Sequence, residues 1–455
     1  MDIDTNSHYY LENKVIDDLI ESLDNQDINS IQNIIQSIDS IQLAYFLSTS
    51  INDQRDQLVK ILDQYALSQA LVHVVPDLQV QIINTLGIEN TAKLLMLLHV
   101  EDIVTIIKDL DRKCTGSILY YIPSKIRKEV EELLSYPEES AGRLIHKDMI
   151  IAPYHWTINQ LTEFLRNYKK IPEKFYQVFI INSRLEPIGS IHLNQVISHS
   201  GDTMIEAIMK RDIKIIQTGI DQEEVARIFQ DYSLISAPVV NKRGKIIGVI
   251  LIEDVIKVVQ KETEEDALKI GGVLSKTDIN APLYKTIITR LPWLLFNLLA
   301  ATICSIVTGV FEHTIKNLII LPIILPIIAS MSGNSGSQTV TLIIRAIATK
   351  HLTAQNAKRI LIKELSIGCI NGIILSIISL TVIDIRFHNF QIEIIFAISM
   401  VIMAIISTFI GAFIPIMLYR LKSDPAISSS ILTSATTDIL SVVIFLGLAT
   451  IFIIK

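Results

Sequence analysis

The sequence predicts an α-helical membrane protein with five transmembrane helices per chain. Before them stands a cytoplasmic part that joins an all-α superhelical domain to an α+β tandem repeat. Three observations predict this. The 455 residues have a mean hydropathy of +0.43, 50% being apolar and only 19% charged, which is too greasy for an ordinary soluble chain of this length. Charge is divided unevenly: from Tyr284 to Lys455 there are 12 basic and 6 acidic residues, a formal +6, which leaves −13 for residues 1–283 within the total of −7. The apolar period also changes along the chain, from three-and-four spacing to short strand-like runs and then to runs long enough to cross a bilayer.

Residues 9 to about 135 read as helical throughout, with apolar spacing such as Val15, Leu19, Ile20 and Leu23, and again Ile103, Ile106, Ile107 and Leu110. Short helices separated by turn residues point to a right-handed superstructure over residues 1–137, without a strict repeat period. Nothing in it has nucleophile or metal-ligand spacing, and its scattered acids read as a solvated face. The chain opens Met-Asp-Ile-Asp-Thr-Asn, with neither a basic start nor an apolar run behind it, so no cleavable secretion signal is expected and this part should stay in the cytoplasm.

Residues 140–266 repeat a strand and helix pattern at about 60-residue spacing. Phe179-Ile-Ile-Asn-Ser-Arg-Leu-Glu-Pro-Ile-Gly189-Ser-Ile-His parallels Val239-Val-Asn-Lys-Arg-Gly-Lys-Ile-Ile-Gly248-Val-Ile-Leu. Each copy is an apolar strand, a polar turn, a second strand and then a helix. Helices at Ile158–Tyr168 and Gln222–Asp231 correspond as well. The copies are assigned to residues 138–200 and 201–262. Gln260 to Gly272 then reads as a helix with an acidic first turn (Glu262, Glu264, Glu265, Asp266) and a Gly-Gly stop. It opens a linking segment at residues 263–283.

The membrane part, residues 284–455, holds five apolar runs, approximately Ile287–Phe311, Ile315–Ala348, Ile360–Ile383, Ile392–Tyr419 and Ala426–Ile454. Basic residues collect on one side of them: Lys285 and Arg290, then Lys350, Lys358, Arg359 and Lys363, then Arg420 and Lys422, against Lys316, Arg386 and Lys455 on the other. The expected orientation has the N-terminus in the cytoplasm and the C-terminus outside.

Inside these runs, Asp438 in Ser434-Ala-Thr-Thr-Asp438 lies near the middle of the fifth, with no other charge for a dozen residues on either side. A carboxylate at that depth costs several kcal/mol unless it faces a watery cavity or a cation path. Asp424 lies 14 residues earlier, nearly four helical turns and about 21 Å along the axis. Asp424-Pro425 also has the form of an N-cap followed by proline. In the second run, Pro322 and Pro326 precede Ser332-Gly333-Asn334-Ser335-Gly336-Ser337-Gln338. Asn334 and Gln338 offer neutral oxygens to a hydrated cation, while Gly333 and Gly336 permit close helix packing or line a pore. Asn297 and Asn371 are expected to bond between helices, Glu364 to be a solvated or paired helix-end residue, and Gly368, Gly372, Gly411 and Ala412 to be packing notches.

The repeated pattern resembles a tandem pair of CBS domains, modules that often bind adenine nucleotides. That family places Thr or Ser three residues after the glycine and Asp six after it. Here the first copy offers His192 and Gln195, and the second offers Leu251 with Asp254 retained, leaving at best one degenerate nucleotide site. The order helical domain, CBS pair, linking helix and five membrane helices resembles the MgtE magnesium channels and transporters over nearly the whole chain. The likeness is carried by Tyr136-Pro137-Glu138-Glu139-Ser140-Ala141-Gly142-Arg143, Pro292-Trp293-Leu294-Leu295, Gly333-Asn334-Ser335-Gly336-Ser337-Gln338-Thr339, Asp424-Pro425-Ala426 and Thr437-Asp438.

The resemblance implies a homodimer in lipid with its pore on the two-fold axis and the Asp438 pair as the metal site for hydrated Mg²⁺, with Asn334 and Asp424 beside it. It also implies a regulatory Mg²⁺ role for Asp254, Glu262, Glu265, Asp266, Asp221 and Glu223. Lys257 is a departure, because the family tends to have an acid one turn after Asp254. Co²⁺, Ni²⁺ and Mn²⁺ are further candidate ions. A secondary exchanger coupled to Na⁺ or H⁺ is the alternative, and a non-transporting membrane-anchored sensor would have no use for Asp438. The acidic first part excludes nucleic acid as a partner. Cys114, Cys304 and Cys369, odd in number and far apart, exclude a disulfide scaffold. Catalytic constellations and a P-loop are absent, which argues against an enzyme or an ATP-driven pump.

Overall fold

The computed structural model describes residues 13–454 except 109, 169, 170, 173, 174, 272, 274–282, 350, 354 and 422. Gly272, Lys350, Lys422, Lys455 and most of the assigned linking segment beyond Gly271 therefore lie outside the described residues. The chain divides into two compact units, Met1–Glu262 and Thr263–Lys455.

The first unit begins with helices α1 (Asn13–Asp24), α2 (Ile28–Ser37), α3 (Ser40–Thr49), α4 (Asn52–Ile61), α5 (Gln64–Leu71), α6 (Pro76–Leu86), α7 (Ile88–Leu95), α8 (Val100–Ile107), α9 (Arg112–Tyr121) and α10 (Ser124–Ser135). Part of the acidity expected to be a solvated face has a local task. Asp27, Asp39 and Asp63 are N-caps whose carboxylates accept first-turn N–H groups of α2, α3 and α5, satisfying donors that a helix start otherwise leaves open. Each helix buries one stripe, such as Ile103, Val104, Ile106 and Ile107 of α8.

The two repeats then fold alike. In the first, β1 (Ile151–Pro153) and α11 (Ile158–Asn167) precede β2 (Gln177–Ile181), β3 (Pro187–His192) and α12 (Leu193–Ser198). After the short α13 (Ile205–Ile208), the second runs β4 (Ile216–Gln217), α14 (Gln222–Tyr232), β5 (Ser236–Val240), β6 (Ile246–Leu251) and α15 (Ile252–Ile270). In both sheets the first strand pairs parallel with the second, and the second antiparallel with the third. The β5–β6 turn uses Gly244 at φ 76°, the left-handed region glycine favours, whereas the β2–β3 turn holds Leu185 there at φ 63°. The helical domain and the second copy share one continuous apolar core, running from Leu19 through Ile103 and Val130 to Phe229 and Val258, while the first copy has its own core around Ile158, Leu161 and Ile180.

α15 corrects the reading of the linker. It is one helix from Ile252 to Ile270 with Glu253 and Asp254 in its first turn, so Glu262, Glu264, Glu265 and Asp266 fall in its later half. They lie outside the first turn, where the helix dipole favours negative charge, so complementing a helix start is not their role.

The second unit contains α16 (Leu283–Val310), the short α17 (Glu312–Asn317), α18 (Ile320–Ala348), α19 (Ala357–Phe387), α20 (Phe390–Arg420) and α21 (Pro425–Ala449), the last continued by a π-helical turn at Thr450–Ile454. Five of these are long and apolar enough to cross a membrane. The second expected run starts later than Ile315, since α17 is a separate helix. Pro322 then falls in the first turn of α18, where its missing N–H costs nothing. Small residues let the backbones of α18, α19, α20 and α21 approach. A Cβ on Gly411 would stand 2.5 Å from the Gly336 carbonyl oxygen, and one on Gly372 would stand 2.8 Å from the Ala404 Cβ. Glu364, expected at a solvated end, is buried at 9% exposure. Its spacing of four to Gly368, Gly372 and Ser376 puts it on the stripe that α19 buries. Asn297 and Asn371 are exposed and bond no other helix among the described residues.

Candidate functional site

In the membrane unit the site is built on α18 and α21. Ser429, Thr433, Thr437 and Ser441 recur every four residues along α21 and are fully buried. They meet the small face of α18: Ser332 and Ser441 share a 2.9 Å hydrogen bond, and a Cβ on Gly336 would stand 2.8 Å from Thr433 Cγ2. Gly336 is thus the close-packing glycine of the pair expected, while a Cβ on Gly333 would meet nothing within 4 Å. This stripe locks α21 in rotation, and Asp438, one residue past Thr437, is left exposed. Among the described residues its carboxylate has neither ion pair nor hydrogen bond. Its backbone carbonyl lies 3.9 Å from Cys304 Sγ on α16. Asn334 and Gln338 on α18 are exposed too.

At the foot of α21 the structure gathers three of the expected acids around a lysine that the sequence reading passed over. Lys269 Nζ donates to Asp424 Oδ2 at 2.8 Å and lies 2.9 Å from Glu265 Oε1, one turn back on its own helix. Burial works against the lysine's charge, but its bonds to Asp424 and Glu265 outweigh that and raise its pKa. Asp266 is half-buried beside them, and burial, with the negative charges of Asp424 and Glu265, pushes its carboxyl above the usual range.

In the first unit Asp254 is tied to a residue not singled out from sequence. His146 Nδ1 lies 2.6 Å from Glu101 Oε1, and its Nε2 is bonded to Asp254. Glu101 sits in the first turn of α8 and Asp254 in that of α15, positions that helix dipoles favour for acids. His146 is fixed by a backbone bridge to Val249 of β6, with N–H···O distances of 2.8 and 2.9 Å. Gly248 makes that approach possible, since a Cβ there would stand 2.5 Å from the His146 carbonyl oxygen. With carboxylates on both ring nitrogens, burial is overcome and the imidazole pKa rises to about 10. Burial is the largest influence on Glu101 and raises its pKa, but the hydrogen bond and charge of His146, with smaller help from the backbone and His99, leave it lowered. A cavity of about 270 Å³ opens beside this tie, lined by His73, His99, Asp102 and Lys257. Lys257 Nζ lies 3.8 Å from Asp254 Oδ1, so the departure noted from sequence adds a second cation at this acid.

Asp221 is the N-cap of α14, its carboxylate accepting from the Glu223 N–H at 2.8 Å. Glu262 stands on α15 among the other late acids. Glu393, in the first turn of α20, is buried at 9% exposure with Oε1 unbonded among the described residues, and sequence reasoning missed it. No group of three or more His, Cys, Asp or Glu side chains is poised to hold a metal ion among the described residues.

Comparison with known proteins places these features. Residues 325–448 match the family model described as a divalent cation transporter, residues 38–139 that of the MgtE intracellular N domain, and residues 205–261 that of the CBS domain. The magnesium transporter MgtE of Bacillus subtilis is 25% identical over 94% of this chain and 94% of its own length. That of Thermus thermophilus is 25% identical over 96% and 98%. A solved structure, the cytosolic domain of the Mg²⁺ channel MgtE in complex with ATP, is 24% identical with a TM-score of 0.50, covering 53% of this chain and 99% of that one, and supports the fold of the first unit. With a matching intracellular N domain, CBS domain and membrane transport domain in one chain, the protein is a transporter and not an enzyme, and it belongs to the MgtE family of divalent cation transporters.

Proposed function

We propose that the chain mediates Mg²⁺ uptake across the cell membrane as a channel, working as a homodimer with its N-terminal unit in the cytoplasm and its C-terminus outside. One observation carries the reading: Asp438 lies mid-way along a membrane-length helix, exposed on the protomer and unpaired among the described residues. Hydrocarbon does not tolerate such a group. Opposite the same residue of a second copy, across a water-filled axis, it becomes half of a two-carboxylate ring. Mg²⁺ holds its water tightly and binds through one or two carboxylates plus that water, so the ring suits the hydrated ion. Asn334 adds neutral oxygens along the same path, and Asp424 attracts cations at the inner mouth.

Cytoplasmic Mg²⁺ closes the pore. Residues 1–283 carry −13 per chain, and a divalent ion that screens or bridges Glu262, Glu265, Asp266, Asp254, Asp221 and Glu223 favours the compact state. The ion shifts the equilibrium only through its greater affinity for that state. At Asp254 and Glu265 it acts on acids that already carry His146 and Lys269.

The test is Mg²⁺ flux into liposomes holding the purified protein, with Na⁺ and H⁺ gradients imposed or removed. Flux that follows the Mg²⁺ driving force alone supports the channel. Flux that stops when a Na⁺ or H⁺ gradient is collapsed contradicts it and selects the exchanger.

A further inference from the structure

We propose that Lys269 is a latch that docks the linking helix onto the foot of the fifth membrane helix, by sharing one ammonium between Glu265 on its own helix and Asp424 at the entry of α21. This deepens the reading above and rests on α21 as a pore helix. Three features carry it. Glu265 and Lys269 are one turn apart on α15, so Glu265 orients the lysine without bending the helix. The Lys269 and Glu265 side chains are only 13% and 15% exposed and Asp424 is 36% exposed, so the lysine end of the latch is less screened by water than an ordinary surface pair. The third partner, Asp424, directly precedes Pro425, whose ring fixes its own backbone at the start of α21.

The consequence is mechanical. Asp266 adds a third carboxylate beside the ammonium, so without Lys269 the end of the linking helix and the entry of α21 present three like charges to each other and separate. With Lys269 in place, a shift of the linking helix either breaks the Asp424 bond or moves Asp424 at the inner mouth. Lys269 holds the end of the linking helix in place and is not a ligand of the ion.

The test uses the full-length purified protein in Mg²⁺-free detergent solution and reads backbone hydrogen exchange over residues 263–270. Lys269→Gln and Asp424→Asn should each raise exchange by about fivefold, the scale of a partly buried charged pair. The double variant should exchange no faster than either single one, because both remove the same contact. Lys269→Arg, which keeps the charge and reach, should match wild type. Equal exchange in wild type and Lys269→Gln, additive effects in the double variant, or Lys269→Arg behaving like Lys269→Gln would each overturn the latch. No transport is measured here, so failure of the latch leaves the channel reading standing, and failure of the channel reading in the flux assay leaves the latch standing.

Discussion

Replacing His146 by leucine removes the cation between Glu101 and Asp254 while keeping much of the side-chain volume. The ring nitrogens lie against carboxylates on opposite sides, which leaves the two acids about 7 Å apart and repelling by about 2 kcal/mol at an effective dielectric of 20. Two charge-assisted hydrogen bonds are lost as well, and breaking a buried ion pair from one side costs about 3–5 kcal/mol. Taking about 4 kcal/mol, and about 2–4 °C per kcal/mol for a unit of this size, the 1–262 fragment should melt about 8–16 °C lower than wild type in EDTA at pH 7. Millimolar Mg²⁺ should recover part of the loss in the variant, because a divalent ion takes the vacated place between the acids. Thermal unfolding followed by circular dichroism reads both. A melting temperature within 2 °C of wild type in EDTA would refute the tie.

The same tie sets a pH dependence. The folded value near 10 lies above the ordinary 6.5, so its stabilisation is complete below about pH 6.5, declines as pH rises, and is gone above about pH 10. The melting difference between wild type and His146→Leu should shrink across that window, and a constant difference would contradict it. In the membrane unit, Gly411→Ala sets a Cβ against the α18 backbone, which cannot step aside, and should cost about 1–3 kcal/mol. Gly333→Ala meets open space and should be neutral, with thermal aggregation followed by size-exclusion as the readout. Asp221→Ala should destabilise the first unit by about 1 kcal/mol by uncapping α14, and Asp221→Ser, which keeps a capping oxygen, should restore it under urea unfolding.

Hydropathy made all five membrane helices legible, because crossing a bilayer demands a length and composition that little else produces. The repeat was legible through its paired strands and the glycine each copy carries in the later strand, Gly189 in β3 and Gly248 in β6. The start of α18 was not, because the expected run was begun at Ile315, inside the polar helix α17 (Glu312–Asn317), and only the position of Pro322 marks the new start. Glu364 was misread for a different reason: its distance from the helix end signals solvent, while its register with Gly368 and Gly372 signals burial, and register prevailed. Asp438 and Asn334 announced themselves by polarity in an apolar run. His146 could not, since Glu101, His146 and Asp254 meet only when α8, the segment after α10 and α15 are assembled. Lys269 stood in plain view among acids, but its partner Asp424 lies 155 residues away.

The central claim is that Asp438 lies on the path of the ion. Mg²⁺ uptake into liposomes containing wild type or Asp438→Asn protein, reconstituted to equal density, tests it most directly. The substitution keeps size and helix position but removes the charge, so uptake should fall to the level of protein-free liposomes. Uptake by Asp438→Asn at the wild-type rate would contradict the claim.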